Sequence, residues 1–216
     1  MHIVEGYLPL RHAVGWTVAA LPFVVGSARA LSARVSAEPA QRMRLAASGA
    51  FVLLLSSLKL PSLAGSSAHP TGTGLGSVLV GARCMPVMAG LVLLFQAILL
   101  AHGGLTTWGA NVFSLGVVGP WVAVGTFRAA SRVGVSTPVA VGIAAALADL
   151  ATYACTAFQL AWAFPGAAGI TDAFVRFALV FGVTQLPLAA LEGVFSAMVW
   201  KSIAPEPQLR RQPSPV

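Results

Sequence analysis

The sequence predicts an all-α integral membrane protein of about seven transmembrane helices, with its N-terminus outside and its C-terminus in the cytoplasm. Three observations carry this prediction: composition, the spacing of apolar runs, and the placement of basic residues. Of 216 residues, 57% are hydrophobic and only 9% charged, where a soluble domain carries about 25% charged residues. Six acidic side chains could not solvate the surface of such a chain. The net charge of +7 comes from basic residues scattered singly between apolar runs. No basic stripe forms, so nucleic acid is excluded as the partner and the bilayer is the fitting solvent.

Seven segments have the length and apolar content expected of spans: 12–30, 44–60, 70–82, 86–101, 108–128, 138–163 and 173–200. The first, fourth, sixth and seventh carry the clearest apolar runs. The third is short and holds Gly72, Gly74, Gly76 and Gly81, which predicts packing inside the bundle rather than against lipid. Orientation follows from arginine and lysine. With the N-terminus outside, inside loops hold Arg29, Arg34, Arg42, Arg44, Arg83, Arg128, Arg132, Lys201, Arg210 and Arg211. Outside regions hold only Arg11, Lys59 and Arg176, a strong positive-inside bias. Residues 1–203 therefore read as one transmembrane domain, and 204–216, rich in proline, as a disordered cytoplasmic tail.

Two features compete with simpler readings. Ala28-Arg29-Ala30 has the form of a signal-peptidase site. However, basic residues follow this apolar run instead of preceding it, and Glu5 stands where a signal wants positive charge, so the segment is expected to stay. Cys84 and Cys155 are far apart in apolar surroundings without a C-x-x-C, which predicts buried, reduced thiols rather than a zinc or redox site.

The chain begins Met1-His2-Ile3-Val4-Glu5-Gly6-Tyr7-Leu8-Pro9. A histidine at position 2 can chelate one metal through three nitrogens: the α-amine of Met1, its own amide and its Nδ1. The rings close nearly in a plane, which suits Cu²⁺ or Ni²⁺, admits Co²⁺ and disfavours the tetrahedral preference of Zn²⁺. His69, in Ser66-Ser67-Ala68-His69-Pro70-Thr71-Gly72-Thr73-Gly74, falls on the same outer side. Pro70 fits the first position of a helix, placing His69 at its cap, from where it could supply a fourth nitrogen. A plain capping or loop histidine is the competing reading.

Met1 to Pro9, Ser66 to Gly76 and the stretch FQAILLAHGGLTTWGANVFSLGVVGP, residues 95–120, together resemble the CbiM/NikM family. These are the substrate-binding membrane components of cobalt and nickel energy-coupling-factor (ECF) transporters. The resemblance implies a seven-helix fold with an extra N-terminal helix, and a metal held by Met1, His2 and His69. It further implies a transmembrane coupling protein, an ATP-binding cassette ATPase and a small auxiliary membrane subunit as partners. The chain has no G-x-x-x-x-G-K-[ST], so it lacks the P-loop route to ATP hydrolysis itself. No cofactor is implied; Co²⁺ or Ni²⁺ is cargo, and the Glu5-to-Pro9 variant resembles the cobalt branch. Components of this class dock their coupling protein through Ala-x-x-x-Ala surfaces, a role that here falls on Ala46 and Ala50.

Other polar residues have less defined roles. His102, at the outer end of the fourth segment, could bind the metal directly, support a ligand from behind or hydrogen-bond a loop. Gln96 and Asn111, which flank that loop, could orient a ligand imidazole by hydrogen bonding or simply pack inside the bundle. His12 reads as interfacial, and Glu5 as a solvated carboxylate or a partial counter-charge for the ion. Asp149 and Glu192 lie inside the sixth and seventh segments, where an ionisable group is costly. Buried hydrogen-bonded roles are favoured for both. They also define the alternative function, a stand-alone proton-coupled secondary metal transporter. An intramembrane metalloenzyme needs an open coordination position and a base, for which a planar four-nitrogen site is poorly suited.

Overall fold

Pro9 opens the first helix. A computed structural model describes residues 2–61 and 67–203. Pro9 sits at φ −55 and ψ 141, an extended geometry that stops the helix from starting earlier. From there α1 runs Leu10–Ala37, about 42 Å at 1.5 Å per residue. Its buried stripe is Ala13, Trp16, Ala20 and Ser27, while Val14, Val18, Leu21 and Val25 are exposed. Large apolar side chains facing outward are what a lipid environment requires.

The remaining helices follow in order: α2 (Gln41–Ser56), α3 (Thr73–Val80), α4 (Met85–Leu99), α5 (Trp108–Val112), α6 (Gly119–Arg132), α7 (Thr137–Ala163) and α8 (Ile170–Ile203). A two-residue antiparallel pairing of Leu60–Pro61 with Ser67–Ala68 precedes α3. A π-turn, Phe113–Val118, joins α5 to α6 just ahead of Pro120, which has no N–H to continue the α ladder. Among the described residues, five helices are long and apolar enough to cross a membrane: Leu10–Ala37, Ala82–Leu99, Trp108–Arg132, Thr137–Ala163 and Ile170–Ile203. They match five of the seven expected segments with ends moved by a few residues. The tail expected at 204–216 lies outside the described residues.

α2 and α3 are the two expected spans that fall outside this set. α3 has eight residues, about 12 Å against a hydrocarbon core of about 30 Å. It survives because the bundle surrounds it: Thr73, Gly74, Leu75, Gly76, Ser77 and Val80 are all buried. A Cβ on Gly74 would collide with the Cα of Ala145, so α3 lies directly on the backbone of α7. α7 and α8 meet as closely. A Cβ added to Gly142 would lie 2.9 Å from the Gly193 carbonyl oxygen, and one added to Gly193 would lie 2.8 Å from that of Gly142. Small residues at these crossings bring α3, α7 and α8 within side-chain hydrogen-bond reach of one another.

One expectation fails here. The third helix begins at Thr73, not at Pro70, and its N-cap is Gly72 in the left-handed region at φ 70. His69 is therefore a residue of the preceding loop and not a cap. The reason is the backbone at Gly72, whose left-handed φ breaks any helix begun at Pro70, while the Thr71 and Gly72 amides are held by the Glu192 carboxylate. Cys84 is buried and Cys155 half-buried, both as free thiols.

Candidate metal centre

The site is assembled from three loops at one end of the bundle. The N-terminal segment lies along the turn between α4 and α5. Glu5 N–H donates to the Gly103 carbonyl at 3.2 Å, Thr107 Oγ1 donates to the Ile3 carbonyl at 2.7 Å, and Asn111 pairs with both backbone groups of Ile3. Ile3 and Leu8 are buried and anchor the segment against the core that includes Trp16 and Leu160. His2 is thereby carried inward and is only 8% exposed. Met1 lies outside the described residues.

Hydrogen bonding fixes which nitrogen of each imidazole is available. Gln96 Nε2 donates to Ser56 Oγ at 2.8 Å, which turns Gln96 Oε1 toward His2 Nε2, also at 2.8 Å. An amide oxygen only accepts, so His2 Nε2 carries the proton and Nδ1 is the basic nitrogen. That is the nitrogen the N-terminal chelate requires. At His69, Nδ1 faces the Pro70 carbonyl at 2.9 Å; the carbonyl only accepts, so Nδ1 is protonated and Nε2 is basic. His69 is fully buried, and its Nε2 has no hydrogen-bond partner among the described residues. Burial holds its pKa well below the ordinary imidazole range, and burial followed by the Lys59 charge pushes His102 down to about 4. Neutral imidazoles are the form that binds metal.

His2, His69 and His102 converge. One ligating nitrogen from each lies within 4.8 Å of the others, and the ring centroids are 4.4 Å apart for His2 and His69, 4.5 Å for His2 and His102, and 5.0 Å for His69 and His102. Such buried, closely spaced neutral nitrogens are suited to a divalent transition metal. A cavity of about 660 Å³ opens beside His2, between Tyr7, Phe164 and the turn that joins α7 to α8.

The residues expected to stand behind the ligands divide. Gln96 does orient an imidazole. Asn111 instead holds the backbone of Ile3, and so positions the whole segment rather than a ring. Glu5 is exposed and accepts from the Thr106 amide; hydrogen bonding by the Thr106 side chain, and after it by the amide, lowers its pKa. His12 is an edge partner of Trp162, away from the three rings, at 5.8 Å. Ala46 and Ala50 are both exposed on α2.

Asp149 and Glu192 are both buried and hydrogen-bonded, and both support the His69 loop. Glu192 accepts the Thr71 and Gly72 amides at 2.5 and 2.8 Å and the Thr71 hydroxyl at 2.9 Å. Two turns earlier on α8, Gln185 Nε2 donates to the His69 carbonyl at 3.2 Å and to both Asp149 oxygens at 2.8 and 2.9 Å. The His69 loop is thus held by α8 at two points, and Asp149 of α7 braces one of them through Gln185. Gln185, Ser56 and Thr107 escaped the sequence reading. Their one signal was polarity inside apolar stretches, which marks residues facing the bundle interior without saying what they touch.

A family model described as the cobalt uptake substrate-specific transmembrane region, CbiM, matches residues 2–209. The chain belongs to the CbiM family. It is 50% identical to the cobalt transport protein CbiM of Streptomyces coelicolor over 202 residues, covering 93% of this chain and 87% of that one. With the cobalt transport protein CbiM of Anoxybacillus flavithermus it shares 51% over 201 residues, covering 93% and 80%. Two crystal structures share the fold at 22% and 21% identity. A truncated transition metal transporter aligns with a TM-score of 0.81 over 94% of this chain and 98% of its own. A second transition metal transporter aligns with 0.82 over 99% and 95%. This CbiM-family chain is a multi-pass membrane component of metal uptake.

Proposed function

We propose that this chain is the substrate-capture subunit of an ATP-driven ECF-type transporter importing Co²⁺, with Ni²⁺ as the alternative cargo. The ion is held in a plane by the Met1 amine, the His2 amide and Nδ1, and His69 Nε2. Capture takes place from the outer side, where the N-terminal segment and the His69 loop meet. A coupling protein docking on the Ala46 and Ala50 face, an ATPase and a small auxiliary subunit complete the assembly. The observation that carries this reading is the pair of tautomers: the Gln96 and Pro70 carbonyl oxygens take the ring protons and leave the basic nitrogens of His2 and His69 where the rings converge.

The alternative, proton-coupled transport through Asp149 and Glu192, has less support, because both carboxylates are engaged in holding backbone and amide groups. Uptake of Co²⁺ into vesicles, with and without the ATPase, separates the two. Uptake that requires the ATPase supports capture for an ECF transporter. Uptake by this chain alone, driven by a proton gradient, would overturn it. Metal analysis of protein from cells supplied with both ions decides between Co²⁺ and Ni²⁺.

A further inference from the structure

His102 has no part in the planar set. The chain bends sharply on both sides of this residue: Ala101 is at φ 46 and Gly103 at φ 79. Between these bends the His102 N–H donates to the Gln96 carbonyl at 3.0 Å, the same residue whose side chain orients His2. The ring is thereby delivered into the site. It is only 4% exposed, and its Nε2 is buried with no hydrogen-bond partner among the described residues. An orphaned buried nitrogen is a standing cost in the metal-free protein, and a bound ion would remove it.

The spacing of the rings says where this nitrogen would sit around an ion. With a metal–nitrogen bond of about 2.1 Å and a ring radius of about 1.1 Å, imidazole centroids on one ion are about 4.5 Å apart when cis and about 6.4 Å when trans. His2 and His69 at 4.4 Å are cis, as neighbours in the plane must be. His102 lies at 4.5 Å from His2 and 5.0 Å from His69, so it is cis to both. In the plane, each remaining position is trans to one of these two rings. Only the axis is cis to both.

We propose, resting on the capture reading, that His102 binds the ion through Nε2 as an axial fifth ligand and that it biases the site toward Co²⁺ over Cu²⁺. A planar set of four nitrogens by itself favours Cu²⁺. Cu²⁺ holds an axial donor only weakly, whereas Co²⁺ accepts five donors readily, so a strong axial imidazole narrows the copper advantage.

The test is X-ray absorption on the full chain, purified in detergent and loaded with Co²⁺ alone. The expected wild-type spectrum shows five light donors with scattering from three imidazoles. His102→Gln should show two imidazoles, bind Co²⁺ about 10-fold or more weakly, and leave Cu²⁺ affinity nearly unchanged. Should the glutamine variant aggregate, His102→Ala with added imidazole should recover the third ring. Two imidazoles in the wild type, or three still present in His102→Gln, would overturn the axial role while leaving capture intact. A wild-type chain that takes up no Co²⁺ at all would overturn the capture reading itself.

Discussion

Asn111 and Ile3 are joined by a two-bond pairing: Asn111 Oδ1 accepts the Ile3 N–H at 2.8 Å, and Nδ2 donates to the Ile3 carbonyl at 3.0 Å. One side chain thus does for a single residue what a neighbouring strand does for a ladder. The N-terminal segment has no secondary structure of its own, so this clamp sets where His2 lies. In Asn111→Leu both bonds vanish: the buried Ile3 N–H loses its partner, at about 1–3 kcal/mol, while the Ile3 carbonyl keeps the Thr107 hydroxyl. Co²⁺ affinity measured by calorimetry should fall about 10–100-fold, with helical content unchanged. Unaltered affinity would show that the segment is positioned by its apolar anchors alone.

Glu192 does the corresponding work for His69. Glutamine in its place has one oxygen, and its amino group would face one of the two backbone N–H donors, which the carboxylate accepts on separate oxygens. Glu192→Gln should therefore free the 69–72 loop. Hydrogen exchange at the Thr71 and Gly72 amides should accelerate, and Co²⁺ affinity should drop about 10-fold or more. Continued slow exchange at both amides would count against the anchor.

His69→Ala should abolish stable loading while leaving the fold intact, since its ring nitrogen Nε2 has no structural partner to lose. Metal content of the purified variant is the readout, and wild-type content would reject His69 as a ligand.

Residues added ahead of Met1 should abolish uptake with every side chain intact, because the proposed α-amine ligand becomes an amide. His2 and Ile3 are already buried, at 8% and 3% exposure, so an extension would also have to be fitted into a closed site. Extension after Val216 should be harmless. Uptake by the two forms is compared at matched membrane expression, with the N-terminal extension verified by mass.

The pH dependence should be asymmetric. Both His69 and His102 have depressed pKa values, His102 at about 4, so their ligating neutral forms persist below the ordinary imidazole range. Protons should displace Co²⁺ from these rings only as pH falls well below about 6.5. A loss of bound Co²⁺ centred near the ordinary imidazole value, measured by dialysis at stepped pH, would show that the rings titrate as exposed imidazoles do.

Most of the fold was legible because lipid imposes a simple rule on composition: the five long spans stand where the apolar runs placed them. α3 was legible only in part. Its glycines announced a close approach, which Gly74 on Ala145 realises, but its start was misjudged. Pro70 is a good first helical residue by local preference, and that preference lost to the left-handed backbone at Gly72, next to a Thr71 amide held by a carboxylate 121 positions away. His2 and His69 stood out because their chemistry is local, to the chain terminus and to a loop beside proline, and the structure brings their rings together. Gln185 was not legible, since its meaning depends on His69, 116 residues earlier. Nothing in a single sequence marks which polar residue of one helix meets which loop.

That long reach bears on how the protein is made. His2 leaves the ribosome well before Gln96, which orients it from 94 residues further on, and the α8 side chains that secure His69 come later still. A nascent chain therefore carries the first two residues of the site long before the Gln96 side chain that orients the His2 ring. A chain stopped before α8 would carry His2 and His69 but neither Gln185 nor Glu192, the side chains that hold the 69–72 segment in place.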